Sequence, residues 1–282
     1  MNYRFQSMNQ SGKPSEPLSK SRLKLIYSLQ YKKNRALEQL YVVEGEKIVR
    51  EYMEAAGNRI CTIRFLVSTA GWADRNREDL KKIGTQLFSV DYRDIERISG
   101  LKTPQEVMAV VEMNRPVYSP EILKGKVTLS LESIRDPGNL GTIIRTADWF
   151  GLDNILCSPD SVDLFNPKVI QSAMGSTLRV RVFYHSLKMV LKDAGSLNIP
   201  VYGTFTRGTP LYRLSFPDEM VVLFGNESAG IEAGLLPLIT ESIMIPAYPE
   251  GKKRAESLNV ASAVAVIMSE LRRQKRGPDY SK

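Results

Sequence analysis

The chain is poor in the residues that build metal centres and cross-linked frameworks. Across 282 residues it holds one histidine, His185, and two cysteines, Cys61 and Cys157. A single histidine excludes a multi-histidine metal site. A serine–histidine–aspartate triad would have to recruit His185, which lies in Val182-Phe-Tyr-His-Ser186, outside every recognisable motif, and is assigned no role. The cysteines are isolated, with no Cys-x-x-Cys spacing, so neither a disulfide framework nor a zinc site is expected. They read as small core residues in a reducing compartment. No apolar run is long enough to span a bilayer. Met1–Lys20 is polar and lacks the apolar segment of a signal peptide. The expectation is a cytoplasmic protein with neither membrane nor metal as partner.

Acidic residues are scarce at both ends. Residues 1–50 carry ten basic and four acidic side chains, which accounts for six of the eight net positive charges. Arg272–Lys282 adds five bases against one acid, Asp279. Basic ends on a balanced body suit a polyanion, because phosphate contacts dominate nucleic-acid affinity; added solubility from a solvated tail is the competing reading.

Composition and length suit two globular domains. Residues 1–18, rich in Ser, Asn, Gln and Pro, read as a flexible polar arm. Residues 19–113 read as a first unit, with helices over Ser21–Leu40, Glu44–Ala56 and Asp91–Ile98. Its strands are expected at Tyr41–Val43, Ile63–Val67, Leu87–Val90 and Val107–Val111. Two prolines mark 114–124 as a linker. Over 125–275 the rhythm alternates. Strands are expected at Val127–Leu131, Asn154–Cys157, Val201–Thr204, Met220–Phe224 and Ser242–Ile245. Helices are expected at Leu140–Phe150, Pro167–Met174, Leu187–Ala194 and Leu258–Arg273. The fold class is α/β, with a mostly parallel sheet covered by helices on both faces. Residues 276–282 form a basic tail.

Three segments carry the chemistry. Asp136-Pro-Gly-Asn-Leu-Gly-Thr-Ile-Ile-Arg145 follows a strand with a turn, after which Asn139 can cap a helix that leads to Arg145. Leu223-Phe-Gly-Asn-Glu-Ser-Ala-Gly230 ends a fully apolar strand. There Gly225 permits a close ligand approach, Glu227 sits at the strand tip, and Gly230 lets the chain turn into a following helix. Ser257-Leu-Asn-Val-Ala261 opens a helix that Ser257 or Asn259 can cap. Read locally, each segment is explained by capping and turn chemistry.

As an ordered set, the three resemble the signature motifs of the SpoU (TrmH-type) RNA 2′-O-ribose methyltransferases of the SPOUT superfamily. The resemblance implies S-adenosylmethionine as methyl donor, a ribose 2′-hydroxyl as acceptor, a homodimer, and a trefoil knot in the methyltransferase domain, 125–275. It assigns Asn139, Arg145, Glu227, Ser257 and Asn259 to the catalytic site, and Thr204, Gly225, Ile245 and Leu258 to the cofactor. Asn166-Pro-Lys-Val-Ile-Gln-Ser-Ala-Met-Gly-Ser176 also resembles a family stretch; Ser172, Gly175 and Ser176 either line the cleft or form a helix end. More loosely, Val43-Glu-Gly-Glu46 and Thr103-Pro-Gln-Glu-Val107 resemble the L30e-like substrate-binding domain that often precedes this catalytic domain. Lys32, Lys33 and Arg35 are candidate RNA contacts there, against the alternative of a solvated helical face. The loop Ala247–Glu256 is longer than usual for the family, and its Lys252, Lys253 and Arg254 are candidate phosphate contacts. Ribosomal RNA is the expected substrate. The alternatives are transfer RNA, a base methyltransferase of a related knotted family, and a catalytically silent RNA-binding protein. A Rossmann methyltransferase is disfavoured, because no Gly-x-Gly-x-x-Gly turn follows an early strand.

Overall fold

The computed structural model describes residues 18–248 and 255–275. The polar arm up to residue 17, the cluster Lys252, Lys253 and Arg254, and the tail 276–282 lie outside the described residues. The chain divides into two compact units: residues up to Asn114 together with Phe165–Leu178, and Arg115–Leu164 together with Arg179 onward.

The first unit begins with α1 (Lys20–Ser28) and α2 (Lys32–Glu38), then β1 (Leu40–Glu44) and α3 (Glu46–Gly57). β2 (Ile63–Ser68), α4 (Ala70–Arg75), α5 (Arg77–Ile83), β3 (Leu87–Ser89), α6 (Tyr92–Ile98) and β4 (Val107–Glu112) complete it. One helix was expected over 21–40; the chain instead breaks at Leu29–Tyr31. The guanidinium of Arg35 explains the break. It is buried, and its Nη1 donates to the carbonyls of Leu29 (3.0 Å) and Gln30 (2.8 Å), groups that the end of α1 leaves unpaired. Arg35 is therefore a structural residue rather than an RNA contact, while Lys32 and Lys33 beside it are exposed.

The strands form a four-stranded sheet in the order β1-β4-β2-β3, with β4 antiparallel to both of its neighbours. One face packs Val42, Phe65, Val67, Phe88, Met108 and Val110 against Ile26 and Leu29 from the first helix and Ile95 and Ile98 from the sixth. Burial on both faces explains why β1 and β4 read as unbroken apolar runs. Phe165–Leu178 packs with this unit and carries α8 (Pro167–Ala173). The ring of Phe165 lies 4.7 Å from that of Tyr41, and the hydroxyls of Tyr52 and Thr177 are 2.8 Å apart. Gly175 has φ +86°, a left-handed conformation in which a side chain would be strained.

The second unit contains β5 (Val127–Leu131), α7 (Pro137–Trp149), β6 (Asn154–Cys157) and β7 (Arg181–Tyr184). These are followed by α9 (Leu187–Ser196), β8 (Val201–Pro210), β9 (Met220–Phe224), β10 (Glu241–Met244) and α10 (Val260–Gln274). All six strands are parallel, in the order β10-β8-β9-β5-β6-β7. From β5 the chain winds outward one way through β6 and β7; the remaining strands lie on its other side. Ligands of open parallel sheets bind where winding reverses, at the carboxyl ends of the strands. That reversal falls between β5 and β9.

Candidate active site

The three motif segments leave the carboxyl ends of β5, β9 and β10, and hydrogen bonds tie their polar groups together. The first contact depends on how α7 starts. Asp136, not Asn139, is its N-cap: the Asp136 carboxylate accepts from the main-chain N–H of Asn139 at 2.8 Å, and Pro137 occupies the first turn, where its missing N–H costs nothing. The side chain of Asn139 is thereby released. Its Nδ2 donates to Glu227 Oε1 at 2.8 Å, and its Oδ1 accepts from Asn259 Nδ2 at 3.0 Å. One carboxamide thus links the second and third segments.

Asn259 is the cap of α10, and Ser257 is not. Asn259 Oδ1 accepts from the main-chain N–H groups of Ala261 (2.9 Å) and Ser262 (3.3 Å), leaving Nδ2 for Asn139. Ser257 is exposed and adjacent.

The loop after β9 is built by its own residues. Gly225 meets backbone rather than leaving room for a ligand: a Cβ there would lie 2.4 Å from the carbonyl carbon of Gly230 and 2.5 Å from the nitrogen of Ile231. No α-helix follows Gly230; the chain folds back, with Asn226 and Gly230 exchanging main-chain bonds of 3.0 and 2.9 Å. Asn226 organises this turn. Its Oδ1 accepts from the N–H groups of Ser228 and Ala229, both at 3.0 Å, and its Nδ2 donates to Ser133 O at 2.8 Å. Its role was legible as an asparagine turn, since such side chains bond the backbone two and three residues on. Glu132, the residue after β5, is a second one the sequence left without a role. It is buried, and its carboxylate accepts from the N–H of Glu232 at 3.1 Å. Burial raises its pKa, which that hydrogen bond partly opposes.

Below the loop, Ser133 adopts φ +50°, unusual for a residue with a Cβ. Ser158 Oγ accepts from its N–H at 2.7 Å, and its hydroxyl donates to Asp160 at 2.5 Å. The hydrogen bonds from Ser133 and Ser158 hold the Asp160 carboxyl below the usual range.

Arg145 stands apart from this network. Six residues of helix advance about 9 Å and turn about 600°, so it leaves another side of α7 than Asn139 does. It is exposed on a face with Thr142 and Trp149, and has no ion-pair partner among the described residues. Ser172, Gly175 and Ser176 group with the first unit. His185 stacks on Tyr118 at 4.7 Å, whose hydroxyl donates to Asp193. Among the described residues no group of histidine, cysteine and carboxylate side chains could hold a metal, and no helix is long and apolar enough to cross a membrane.

The positions proposed for the cofactor flank the same edge. β8 pairs with β9 only as far as Gly203, and its pairing with β10 lapses between Gly203 and Thr209. Thr204 therefore stands where both ladders stop. Thr204, Gly225 and Ile245 are half-buried, and Leu258 is 52% exposed. Main chain and uncharged side chains at these positions fit the adenosine part of S-adenosylmethionine.

A parallel α/β sheet with a carboxamide–carboxylate network at its winding reversal defines an enzyme site of the strand-end type. A model of the SpoU rRNA Methylase family matches residues 126–269, and one of the MRM3-like substrate binding domain matches residues 20–109. The 23S rRNA (guanosine(2553)-2′-O)-methyltransferase RlmP of Bacillus subtilis (strain 168) is 30% identical over 263 residues, covering 92% of this chain and 99% of the relative. A TrmH-family protein from Porphyromonas gingivalis superimposes with a TM-score of 0.79 at 34% identity, over 92% of this chain and 100% of that one. The AdoMet-bound rRNA methyltransferase from Sinorhizobium meliloti gives 0.78 at 25% identity, over 96% and 98%. The chain belongs to the SpoU rRNA methylase family.

Proposed function

We propose that the chain transfers a methyl group from S-adenosylmethionine to a ribose 2′-hydroxyl of ribosomal RNA. The observation that carries this reading is the chain of hydrogen bonds Glu227–Asn139–Asn259, which gathers one residue from each motif segment at a single point. The donor, when bound, supplies an activated methyl group on its sulfonium. The protein must then align the 2′-oxygen and accept its proton. Glu227 is suited to accepting the proton, since one of its oxygens is held by Asn139 and the other has no partner among the described residues. A guanidinium stays charged in proteins, so the part of Arg145, from its own side of α7, is to orient an RNA phosphate. Ser257 and Asn259 position the nucleotide. Main chain at Thr204, Gly225, Ile245 and Leu258 holds the adenosine.

The same reading makes residues 19–113 the substrate-binding domain and 125–275 the methyltransferase domain, knotted as in the family. Lys252, Lys253 and Arg254 serve as phosphate contacts. The active form is a cytoplasmic homodimer.

The test is transfer of labelled methyl to unmodified ribosomal and transfer RNA, with Arg145→Ala alongside. Label recovered as a 2′-O-methyl nucleoside from ribosomal RNA, and lost with the variant, supports the proposal. Label on a base, on transfer RNA alone, or undiminished by the variant overturns it in reaction, substrate or residue respectively.

A further inference from the structure

The first helix carries a stripe that the core does not explain. Residues 18–35 contain six basic side chains and no acidic one. The structure gives two of the six internal work: Arg22 lies 4.3 Å over the ring of Phe88, and Arg35 is buried against carbonyls. The other four, Lys20, Lys24, Lys32 and Lys33, are exposed, with no ion-pair partner among the described residues. Lys82, Lys126 and Lys275, by contrast, do pair with carboxylates.

Two aromatic rings lie in the same row. Lys20, Lys24, Tyr27 and Tyr31 are separated by four, three and four residues. Within α1, at 100° per residue, Lys20, Lys24 and Tyr27 fall within an arc of about 60°, opposite the buried Ile26, and Tyr31, just past the end of the helix, sets its ring against that of Tyr27. Tyr27 is 47% exposed and Tyr31 58% exposed, and their rings touch edge to face at 6.5 Å. A pair of aromatic rings left in water contributes little to folding. Aromatic faces flanked by unpaired lysines have the chemistry of a single-stranded nucleic-acid platform, on which bases stack while ammonium groups follow the phosphates. A duplex, whose bases already stack on each other, offers such rings nothing.

We propose that the stripe Lys20–Lys24–Tyr27–Tyr31, continued by Lys32 and Lys33, is a docking surface for unpaired nucleotides of the RNA substrate. This rests on the reading of the chain as an RNA methyltransferase and adds to it a structural class of target: a loop or single-stranded junction. The two tyrosines supply stacking and the four lysines supply the salt-dependent part of binding.

The full-length protein would be titrated with unmodified 23S ribosomal RNA, with a short A-rich single strand, and with the same strand in duplex form, at low and moderate salt. Tyr27→Ala/Tyr31→Ala is expected to weaken single-strand binding roughly ten- to hundredfold, with the salt slope unchanged. Tyr27→Phe/Tyr31→Phe, which keeps the rings, should restore it. Replacing the four lysines by glutamine should lower the salt slope by roughly 0.7 for each phosphate no longer neutralised. Wild-type binding that survives loss of both rings, or equal losses on strand and duplex, overturns the stacking surface and leaves the methyltransferase reading intact. Wild-type protein that neither binds nor methylates any RNA overturns both. An Ala variant whose thermal midpoint falls is scored through the Phe variant, whose failure to restore affinity at wild-type stability also overturns the proposal.

Discussion

Asn139→Ala should separate catalysis from folding. The substitution removes two hydrogen bonds, the 2.8 Å bond to the Glu227 carboxylate and the 3.0 Å bond from Asn259. The first is charge-assisted and contributes about 1.5–3 kcal/mol; the second, between neutral amides, contributes about 0.5–1.5 kcal/mol. Water competes for both at this exposed site, so the lower part of the summed range applies, about 2–3 kcal/mol. If that free energy positions Glu227 and the nucleotide in the transition state, kcat/KM should fall roughly 30- to 150-fold.

Stability should barely move. The cap of α7 is Asp136, which bonds the main chain of Asn139 and not its side chain, and alanine is a better helix former than asparagine. The assay is single-turnover methyl transfer to unmodified 23S ribosomal RNA, with thermal unfolding in parallel. Because Asn139 and Asn259 act through one network, Asn139→Ala/Asn259→Ala should lose less activity than the sum of the single losses. Activity of Asn139→Ala within about threefold of wild type would refute the reasoning, as would a double variant whose losses simply add.

Three other changes test the scaffold. Gly225→Ala pushes a methyl into the Gly230–Ile231 backbone, so we expect about 1–3 kcal/mol of overpacking and at least roughly tenfold weaker S-adenosylmethionine binding by calorimetry; Gly234→Ala, whose nearest neighbour is a flexible Glu232 oxygen at 3.5 Å, is the control and should be near neutral. Arg35→Met strips partners from the carbonyls of Leu29 and Gln30 and should cost about 2–5 kcal/mol, read as a lower unfolding midpoint, while Lys32→Gln and Lys33→Gln leave it unchanged. Asp160 has a carboxyl held below its ordinary value of 3.8, so its contribution to stability is complete above that pH and is lost as the pH falls through the lower folded value. Denaturant titrations of Asp160→Asn should therefore show a shallower loss of stability below about pH 4 than wild type, and equal slopes would count against the Ser133–Asp160 link.

The interior of the catalytic sheet was legible in the sequence almost to the residue. β5, β6 and β9 begin and end where their apolar runs do, because they are flanked by parallel strands and buried on both sides. β7 escaped because it opens on an exposed arginine, Arg181, and lies at the sheet edge. α4 and α5 escaped because each is shorter than two turns, too short for a periodic apolar face to show. The split of α1 from α2 depends on a buried guanidinium that no local pattern distinguishes from a solvated one. Asn139 and Arg145 share one motif segment, yet helix geometry sends their side chains to different sides of α7. The family resemblance named residue types from three segments; it could not say which atom meets which.

At Asn259 the local reading and the functional one are compatible in a single side chain. A carboxamide has two ends. Its oxygen caps α10 through Ala261 and Ser262, and its nitrogen donates to Asn139. Aspartate offers only the first of these: it caps a helix as well as asparagine does, and its charge suits the helix N-terminus, but it has no donor. Asn259→Asp should therefore keep the unfolding midpoint and lose methyl transfer, with an acceptor facing Asn139 Oδ1 and a second carboxylate near Glu227. Asn259→Ala should lose both, with about 1 kcal/mol of stability going with the cap. If aspartate at 259 sustains wild-type turnover, Asn259 is a cap and nothing more, and the bond to Asn139 is incidental. If turnover falls while the midpoint holds, one side chain both starts a helix and aligns the site, which explains why an asparagine stands at 259.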